Sequence, residues 1–513
     1  MLVEDQTRIR GINIPLVIAG LCMAFCMVPI DITIANVAIV NICGDLGVEV
    51  TKGKSIATAY FIGEAIGLPL TGCLVRKFGD IRLYFISLIL FGIFSFTCAI
   101  SFDLEMLVFS RLLQGVASAP IIPLSQSLLF RCLPQDKGNI GITIMSLFYV
   151  ISIISAPIIG GWLTTYYGWP WIFKINIPIV LISLFILWTQ IRNKDLPVKK
   201  ERLDWIGLFL LSFAVIAWQI FLDFGQEWDW WNSQAIVTLF WLVFIAATLL
   251  ICYEFYRPNP LLNLRLFKKR NFTVINLLMW LAIAVDLGSF IIIPLWLQTY
   301  KNYNALWAGL AMAPFGVGAI LAGLLSNSLI KRVGLFNTTA LGSLLVAYGC
   351  FYQSFIQIPD IDIYHLLFSR FIMGSGILLN YICLTLICKQ EFKPEEQPEA
   401  LGIFQFSRSI FAATGISLFF TLWLRRTITY HNILIEKTSS FSLNVKNYIA
   451  DLQTQGFTHQ QALEKLNQTT DLQAATLSIN DCLFAMGWLS ILMFFLCFLG
   501  KKQQETNHAI EMV

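Results

Sequence analysis

Long apolar stretches alternate with short polar connections along the whole chain of 513 residues. A bilayer core of about 30 Å is crossed by about 20 apolar residues in a helix, and fourteen stretches reach that length. They lie near positions 13–41, 55–75, 82–101, 105–130, 139–163, 170–190, 204–222, 235–255, 272–298, 306–330, 336–356, 364–388, 401–424 and 481–500. The pattern therefore predicts an all-α integral membrane protein with fourteen transmembrane helices.

The basic residues support this count, because Lys and Arg concentrate in the cytoplasmic loops of membrane proteins. With the N-terminus inside, 23 of the 35 basic residues fall in inner segments, 9 in outer segments and 3 within helices. Both termini are then expected in the cytoplasm. The first apolar run is too long for the core of a cleavable signal, so we expect it to remain as a membrane anchor.

Composition excludes several classes of protein. Hydrophobic residues make up 57% of the chain and charged residues only 13%, which rules out a soluble globular protein. The net charge of +4 is explained by the loops, so no nucleic-acid partner is expected. The sequence has no GxxxxGK[ST] nucleotide loop, so the energy source we expect is a proton gradient and not a cofactor. Twelve scattered cysteines without a CxxC pair predict neither a disulfide framework nor a metal site.

Three features recur at nearly one spacing. The motif LVFSRLLQG starts at Leu107 and LLFSRFIMG follows 259 positions later. The motif RKFG starts at Arg76 and KRVG follows 255 positions later, and Asp31 and Asp286 are also 255 positions apart. The repeat indicates a tandem duplication in which spans 1 to 6 correspond to spans 9 to 14.

The duplication predicts two pseudo-symmetric six-helix bundles with two helices inserted between them. We expect the N-terminal bundle in residues 1–195, the inserted helices in 196–256 and the C-terminal bundle in 257–500, followed by a cytoplasmic tail in 501–513. One long external loop, 425–480, separates the last two spans. A substrate site is expected at the interface of the two bundles.

Charged residues inside spans are the first candidates for function, since each costs roughly 2.5 to 3.5 kcal/mol at mid-membrane. Asp31 in span 1 and Arg111 in span 4 lie at similar depth and can form a pair. Gln114, Ser118 and Ser125 continue a polar stripe on one face of span 4, which suggests a cavity wall. If this site alternates between wet and dry, Asp31 can take up and release a proton. The alternative is a static ion pair that fixes helix register.

The second half carries a matching set. Asp286 and Arg370 occupy the places that correspond to the first pair, and Asn380 lies further along span 12. Glu64 in span 2 is predicted either to face the substrate cavity or to stay protonated between helices. Arg408 in span 13 is predicted at the cavity or extending toward the cytoplasmic surface.

Span 5 has a face that is almost free of side-chain bulk. Ser152, Ala156 and Gly160 are four residues apart, and Gly161 follows, so another helix can approach the backbone closely. Pro157 lacks an N–H and should loosen the helix near its middle. This combination favours a helix that rocks against a neighbour, although small residues and proline are also ordinary in membrane helices.

Several ordered motifs resemble a known family. SAPIIGG followed by GWPWIFKINIP, together with PIDITIANVAI, PLTGCLVRKFG, FSRLLQGVASAPIIPLSQSLL, LFKKRNFT and WAGLAMAP, resembles the fourteen-helix drug:proton antiporters of the major facilitator superfamily, of the EmrB and QacA type. These motifs run through nearly the whole chain. The resemblance implies the two-bundle fold, proton-driven export and alternating access.

The resemblance also implies roles for residues. Asp31 and Arg111 correspond to the residues of proton coupling, and the helix with Pro157 corresponds to the antiporter motif. Gly72, Arg76, Lys77 and Gly79 form the loop that gates the cytoplasmic side in the family. Two positions depart from the common pattern. An acidic residue is usual where Arg76 stands, and Gly is usual where Ala156 stands.

We therefore expect a proton-driven exporter of amphipathic toxic compounds in the cytoplasmic membrane of a bacterium. Export of a native metabolite such as a siderophore is the alternative within the class, and a channel, a membrane sensor or an enzyme are the alternatives outside it. The resemblance implies a possible periplasmic adaptor protein and outer-membrane channel. In the external loop, Thr458 and Gln461 predict a capping box, and the segment Asn432 to Gln473 is a candidate docking site. Asp223, at the outer end of span 7, is expected to be solvated.

Overall fold

The computed structural model describes residues 12–133, 138–192, 194, 204–257, 260–393, 396–438 and 443–500, which form seventeen α-helices. They are α1 (Ile14–Asp45), α2 (Lys54–Phe78), α3 (Asp80–Ala99), α4 (Leu104–Ser118), α5 (Ile121–Cys132), α6 (Gly138–Tyr167), α7 (Pro170–Lys174), α8 (Asn176–Ile191), α9 (Trp205–Phe224), α10 (Gln234–Tyr256), α11 (Arg270–Thr299), α12 (Ala305–Val333), α13 (Leu335–Ile356), α14 (Ile363–Glu391), α15 (Gln397–Lys437), α16 (Leu443–Thr454) and α17 (His459–Cys497).

The helices agree with the predicted membrane spans. Within the described residues, thirteen helical segments are long and apolar enough to cross a membrane, and α6, with 30 residues, lies where the fifth of the fourteen predicted spans was expected. Span 4 is built from α4 and α5. The break falls at Ala119 and Pro120, where the nitrogens of Pro120 and Pro123 cannot donate hydrogen bonds to the preceding turn. The predicted all-α membrane fold is confirmed.

The two bundles repeat the same helix contacts. α1 packs on α6 as α11 packs on α15, and α2 packs on α4 as α12 packs on α14. Gly63 of α2 lies against the backbone of Leu112 in α4, and Gly318 of α12 lies against the backbone of Phe371 in α14, with no room for a Cβ atom at either glycine. Gly63 and Gly318 are 255 positions apart, so the spacing of the duplicated motifs is also a spacing of equivalent contacts.

The two bundles meet along three helix pairs, α1 with α11, α2 with α15 and α6 with α12. Gln298 Nε2 donates to the Val37 carbonyl at 2.9 Å, near the ends of α1 and α11 that face the same side as α16. We call this side the outer side. Gly309 of α12 lies against the carbonyl of Pro157, and Gly161 of α6 lies against the carbonyl of Ala305. These contacts close the outer side between the bundles.

The inserted helices α9 and α10 lie alongside the interface between α2 and α15. α9 packs on both α2 and α15, and α10 packs on α9. Asp223 at the end of α9 accepts from Thr58 Oγ1 at 3.0 Å and from Ser417 Oγ at 2.5 Å, and Lys54 Nζ is 3.7 Å from its Oδ1. The expectation that Asp223 is solvated is therefore wrong. It bridges the two bundles because the inserted helix brings it to the groove between α2 and α15.

The external segment is helical and not an open loop. α15 continues to Lys437 and α17 begins at His459, so the two helices extend beyond the membrane and α16 connects them. His431 Nδ1 lies 2.7 Å from Asp471 Oδ1, which pairs the extensions. The predicted capping box is confirmed, since Thr458 and Gln461 exchange side-chain and backbone hydrogen bonds. Within the described residues, the external segment 425–480 is thus mostly helical, and we call the ends of α15 and α17 together with α16 the external hairpin.

A Gly161→Leu variant tests the outer contact. A leucine cannot fit against the Ala305 carbonyl, and overpacking of this kind costs about 1–3 kcal/mol, so α6 and α12 should separate on the outer side. In a background without reactive cysteines, a Thr33→Cys side chain in the space between the bundles should then become reactive to a membrane-impermeant thiol reagent added outside.

Gly402→Leu is the matched control, since no atom lies within 4 Å of a Cβ placed at Gly402. Equal labelling of Thr33→Cys in the Gly161→Leu and Gly402→Leu backgrounds would show that the glycine contact does not hold the outer side closed.

Candidate functional site

A fully buried ion pair lies in the middle of the N-terminal bundle. Arg111 of α4 donates through Nη1 to Asp31 Oδ2 of α1 at 2.5 Å, and the two residues are 1% and 0% exposed. The structure brings together the two residues whose similar depth suggested a pair. A buried ion pair is tolerated only when its other polar atoms also find partners, and neighbouring side chains supply them.

Amide side chains complete the network. Gln114 Nε2 donates to Asp31 Oδ1 at 3.0 Å and to Ser95 Oγ at 2.7 Å. Asn176 Nδ2 donates to Asp31 Oδ1 at 2.6 Å. Gln114 was expected to line the substrate cavity, but it is fully buried and belongs to the Asp31 network. Ser95 and Asn176 were not predicted, and the only signal in the sequence was a polar residue inside an apolar span.

Aromatic rings seal this network. The Arg111 Cζ atom lies 4.6 Å from the centre of the Tyr60 ring and 5.4 Å from the centre of the Phe173 ring. Such contacts stabilise a cation that is shielded from water. Since Asp31, Arg111 and Tyr60 are all 0–1% exposed, water can reach the Asp31 carboxylate only when the helices around it separate.

The corresponding residues of the C-terminal bundle are arranged differently. Arg370 Nε donates to Gln353 Oε1 at 3.2 Å, Arg370 Nη2 contacts the same oxygen, and Arg370 Nη1 donates to Ser289 Oγ at 3.3 Å. Asp286 forms no ion pair with Arg370 in the described part of the chain. Its Oδ1 is a buried oxygen that accepts no hydrogen bond. The second ion pair expected from the duplication, Asp286 with Arg370, is therefore not formed.

A cavity lies between the two bundles, inward of the outer contacts. Its empty space, counted together with the part that is open to solvent, is about 970 Å³. Its wall is mostly aliphatic and aromatic, and the polar or aromatic residues that line it are Thr33, Phe61, Asp286, Phe290, Phe315, Tyr381 and Arg408. The cavity is amphipathic, with a large apolar surface and few charges.

A second ion pair joins the two bundles beside the cavity. Arg408 Nη2 of α15 donates to Glu64 Oε1 and Oε2 of α2 at 3.0 and 3.1 Å, and Ser409 Oγ donates to Glu64 Oε2 at 2.7 Å. Arg408 Nε also donates to Gln405 Oε1 at 2.8 Å. Arg408 therefore points to Glu64 and not to the membrane surface, and Glu64 has both Arg408 and Ser409 as partners. The reason is the close approach of α2 and α15.

Other predicted cavity residues lie elsewhere. Asp286 and Arg408 line the cavity, whereas Glu64, Gln114, Arg370 and Asn380 are not among its lining residues in the described chain. Asn380 is 1% exposed and packs near Gly342 of α13. The polar stripe predicted on span 4 does not face the cavity either. Ser118 donates to the Gly115 carbonyl and Ser125 bonds to Tyr84 at 2.8 Å, so neither faces the cavity.

The residues of the predicted antiporter motif lie where α6 contacts two helices. Ser152 Oγ donates to the Phe148 carbonyl at 2.8 Å, and Ala156 is completely buried. Gly160 lies against Ile34 of α1 in its own bundle, while Pro157 and Gly161 contact α12 of the other bundle. The face of small residues on α6 thus contacts α1 within its own bundle and α12 of the other bundle.

The predicted gating loop lies where α2 ends and α3 begins, at the end of the bundle opposite to the outer side. Gly72, Arg76 and Lys77 are exposed, and Gly79 has a φ of 88°, a left-handed conformation that favours glycine. The following residue, Asp80, forms an ion pair with Arg131 at the end of α5. The sequence reasoning missed this pair, although Asp80 stands directly after the RKFG motif.

Comparison with known proteins identifies relatives over nearly the whole chain. Residues 21–416 match the family profile of the Major Facilitator Superfamily. The chain is 31% identical over 498 residues to the multidrug export protein EmrB of Escherichia coli (strain K12), with 97% of each chain covered. It is 32% identical over 497 residues to the fatty acid resistance protein FarB of Neisseria gonorrhoeae, with 97% of this chain and 98% of that protein covered.

Solved structures support the fold alone, since their sequences are distant. An auto-inhibited POT family peptide transporter is similar with a TM-score of 0.64 and 13% identity, covering 96% of this chain and 98% of that chain. A bacterial homologue of the human lysosomal transporter Spinster, in an inward-facing and unoccupied conformation, is similar with a TM-score of 0.62 and 13% identity, covering 95% and 96%.

Glu64→Gln tests the ion pair between the bundles. The variant leaves Arg408 buried beside the cavity without its carboxylate, and removal of one partner of a buried pair costs about 3–5 kcal/mol. We expect a clear fall in the thermal unfolding temperature of the purified protein. The double variant Glu64→Gln/Arg408→Gln should recover part of the loss, because it removes the uncompensated charge.

Lys52→Gln is the control, since Lys52 pairs with Glu227 at 3.6 Å while both side chains are about half exposed, and such pairs contribute about 0–1 kcal/mol. An unfolding temperature that falls no further in Glu64→Gln than in Lys52→Gln would contradict a stabilising contact between the bundles.

Proposed function

The chain belongs to the Major Facilitator Superfamily, among the fourteen-helix exporters of the EmrB type, and on that basis we propose that it expels drug-like amphipathic compounds through the bacterial cytoplasmic membrane in exchange for protons. The observation that carries the proposal is the cavity between the bundles. It is amphipathic and lies inward of the helix contacts on the outer side, while a separate network around Asp31 is sealed inside one bundle.

Alternating access follows from how the bundles meet. The outer contacts between α1 and α11 and between α6 and α12 rest on small residues and single hydrogen bonds, so two rigid bundles can separate there. Rocking of one bundle against the other would open the outer side and close the cytoplasmic side around the same cavity. The structure described above then represents the state that accepts substrate from the cytoplasm.

Proton coupling is proposed for the Asp31 network. In the closed network the Asp31 carboxylate accepts hydrogen bonds from Arg111, Gln114 and Asn176. A proton on Asp31 would weaken all three bonds, since a neutral carboxyl group attracts a guanidinium less strongly than a carboxylate does. Loading of a proton would therefore require, and favour, separation of α1 from α4. Such a change links protonation to helix movement.

The names of relatives agree with transport of amphipathic toxic molecules. They include multidrug export, fatty acid resistance and colistin resistance proteins. The alternative of a dedicated metabolite exporter is not favoured by these names. We place the protein in the bacterial inner membrane with both termini in the cytoplasm, consistent with the distribution of basic residues.

We further propose that the helical hairpin formed by the ends of α15 and α17 with α16 docks a periplasmic adaptor protein. It extends beyond the bundles and exposes apolar side chains, among them Ile433, Ile435, Leu443 and Leu463 at 41–71% exposure. Apolar residues at an aqueous surface are typical of protein contact sites. An adaptor could connect this surface to an outer-membrane channel.

Asp31→Asn should abolish export driven by a pH gradient in proteoliposomes while binding of the compound by the purified protein stays within about twofold of wild type. Asn keeps the size of the side chain but removes the charge that holds Arg111, and Asp31 does not line the cavity. Export and equilibrium binding of tetraphenylphosphonium and neutral triphenylphosphine oxide measure the two effects.

Asp471→Asn in the external hairpin is the control, since it neutralises a carboxylate outside the membrane. Gradient-driven export by Asp31→Asn at the wild-type rate would remove Asp31 from proton coupling.

Replacement of residues 432–473 by a short flexible linker tests the hairpin. The contact of His431 with Asp471 shows that the ends of the segment lie close together, so a short linker can join α15 to α17. We expect normal export by purified protein in vesicles and loss of drug resistance in cells, because only the cell assay depends on a partner. Resistance that survives the replacement would contradict docking at this site.

A further inference from the structure

The inserted helices α9 and α10 meet at two buried acidic residues, at the end of the pair opposite to the outer side. Asp204 directly precedes α9, and Glu254 lies in the last turn of α10. They are 8% and 1% exposed. Neither belongs to the network around Asp31, and neither is among the residues that line the cavity in the described chain. The proposed export mechanism therefore leaves this acidic pair without a role.

One oxygen of the Asp204 carboxylate makes all of its contacts. Oδ1 accepts from the N–H of Gly207 at 3.0 Å, as an N-cap residue does, and from the hydroxyl of Tyr253 at 2.8 Å. Arg257 Nη1 lies 3.0 Å from the same oxygen. The charge of Arg257 is therefore matched by that of Asp204.

The Glu254 carboxylate is divided in the same way. Its Oε2 accepts from the N–H of Leu262 at 3.2 Å, which ties the segment before α11 to the end of α10. Its Oε1 is buried and accepts no hydrogen bond, and the same is true of Asp204 Oδ2. Buried oxygens without a partner need an explanation in a native structure. Glu254 also forms no ion pair in the described part of the chain, so its burial as a carboxylate would be unfavourable.

The two oxygens without partners lie beside the same point of α9. A Cβ atom placed on Gly207 would lie 2.5 Å from Asp204 Oδ2 and 3.1 Å from Glu254 Oε1. The absence of a side chain at Gly207 is therefore what allows both oxygens to gather there. Two ionised carboxylates at such a buried site repel each other, and proteins relieve this repulsion when the pair holds a single proton.

We propose that Asp204 and Glu254 bind one proton between them, carried by Glu254 and donated from its Oε1 to Asp204 Oδ2. A metal ion fits less well, because Ca²⁺ takes about six to eight oxygen ligands and Mg²⁺ needs a complete octahedron. No cluster of three or more acidic, histidine or cysteine side chains suited to a metal occurs in the described residues. A proton needs only the two oxygens, and it would hold α9 to α10 at this end of the pair.

The site makes stability depend on pH in a definite direction. In the unfolded chain both carboxyl groups are ionised at neutral pH, so the folded protein binds one proton more than the unfolded chain. Stability should then fall as pH rises, with the unfolding constant increasing about tenfold per pH unit while the proton is held. The other groups beside the pair are Tyr253 and Arg257 of α10, and the nearby Arg265 donates to the Phe255 carbonyl. Neither arginine loses its charge in this range.

The experiment measures the unfolding temperature of the purified full-length protein from about pH 6 to about pH 9 in buffer without sodium. Wild type should lose stability more steeply with rising pH than Glu254→Gln, whose amide can donate to Asp204 Oδ2 at every pH. Asp204→Asn should lose the same part of the slope, although its unfolding temperature is lower because Arg257 loses its partner. The double variant should lose no further slope, since one proton is shared by both groups.

Glu227→Gln is the matched control, because Glu227 is about half exposed near the outer side, and it should keep the wild-type slope. A wild-type slope in Glu254→Gln would overturn the proposal. A slope that Asp204→Asn keeps would also overturn it, since Glu254 would then hold its proton alone. An equal rise of the unfolding temperature of Glu254→Gln at every pH would indicate two ionised carboxylates bridged by water. Stabilisation of wild type by sodium chloride but not by choline chloride, without the pH slope, would indicate a metal ion instead of a proton.

Discussion

The relative position of the two bundles depends on the contact of Glu64 with Arg408. It joins α2 to α15 at mid-membrane, and Ser409 adds a third hydrogen bond to the same carboxylate. Desolvation makes such a pair a small net source of stability, but once buried neither partner can leave the other without a large cost. The pair therefore acts mainly on geometry, because it fixes how closely and at what depth α2 and α15 approach.

α2 also connects this contact to the acidic network of the N-terminal bundle. Tyr60, one helical turn before Glu64, places its ring over Arg111. Gly63 lies between them along the helix and packs without space on the backbone of α4. A shift of α2 against α4 is therefore blocked by backbone contact, whereas α2 is held to α15 by polar side chains, the Glu64–Arg408 pair with Ser409 and the Asp223 bridge. α2 and α4 should then move together, so that a change in the contacts of Arg111 should shift α2 at the interface with α15.

Local pattern was sufficient for much of the fold. The length of the apolar runs predicted the membrane spans, and the repeated spacing of motifs predicted the two bundles. The similar depth of Asp31 and Arg111 in their spans predicted that they lie close together. What could not be derived were contacts between residues far apart in sequence. Glu64 and Arg408 are 344 positions apart, and no pattern on α2 specifies which residue of α15 faces it. Asp223 was misjudged for the same reason, because its surroundings are set by where the inserted helices pack.

The split pair of the C-terminal bundle shows the limit of the duplication as a guide. Equivalent positions kept the acid and the arginine, but the neighbours changed. Asp31 accepts from the amides of Gln114 and Asn176, while in the second bundle the amide of Gln353 accepts from Arg370. A guanidinium satisfied by neutral oxygens does not need a carboxylate, so Asp286 is free to face the cavity.

This exchange of partners separates two tasks that would conflict in one site. A carboxylate that pairs with an arginine inside a closed bundle is sealed from bulky ligands, whereas one at the cavity wall is accessible to them. Under the proposed mechanism Asp31 would carry the proton inside the closed bundle, whereas Asp286 lies at the cavity wall of the other bundle. Helix contacts that are equivalent in both bundles, such as those of Gly63 and Gly318, keep the two sites at comparable depth while their chemistry differs.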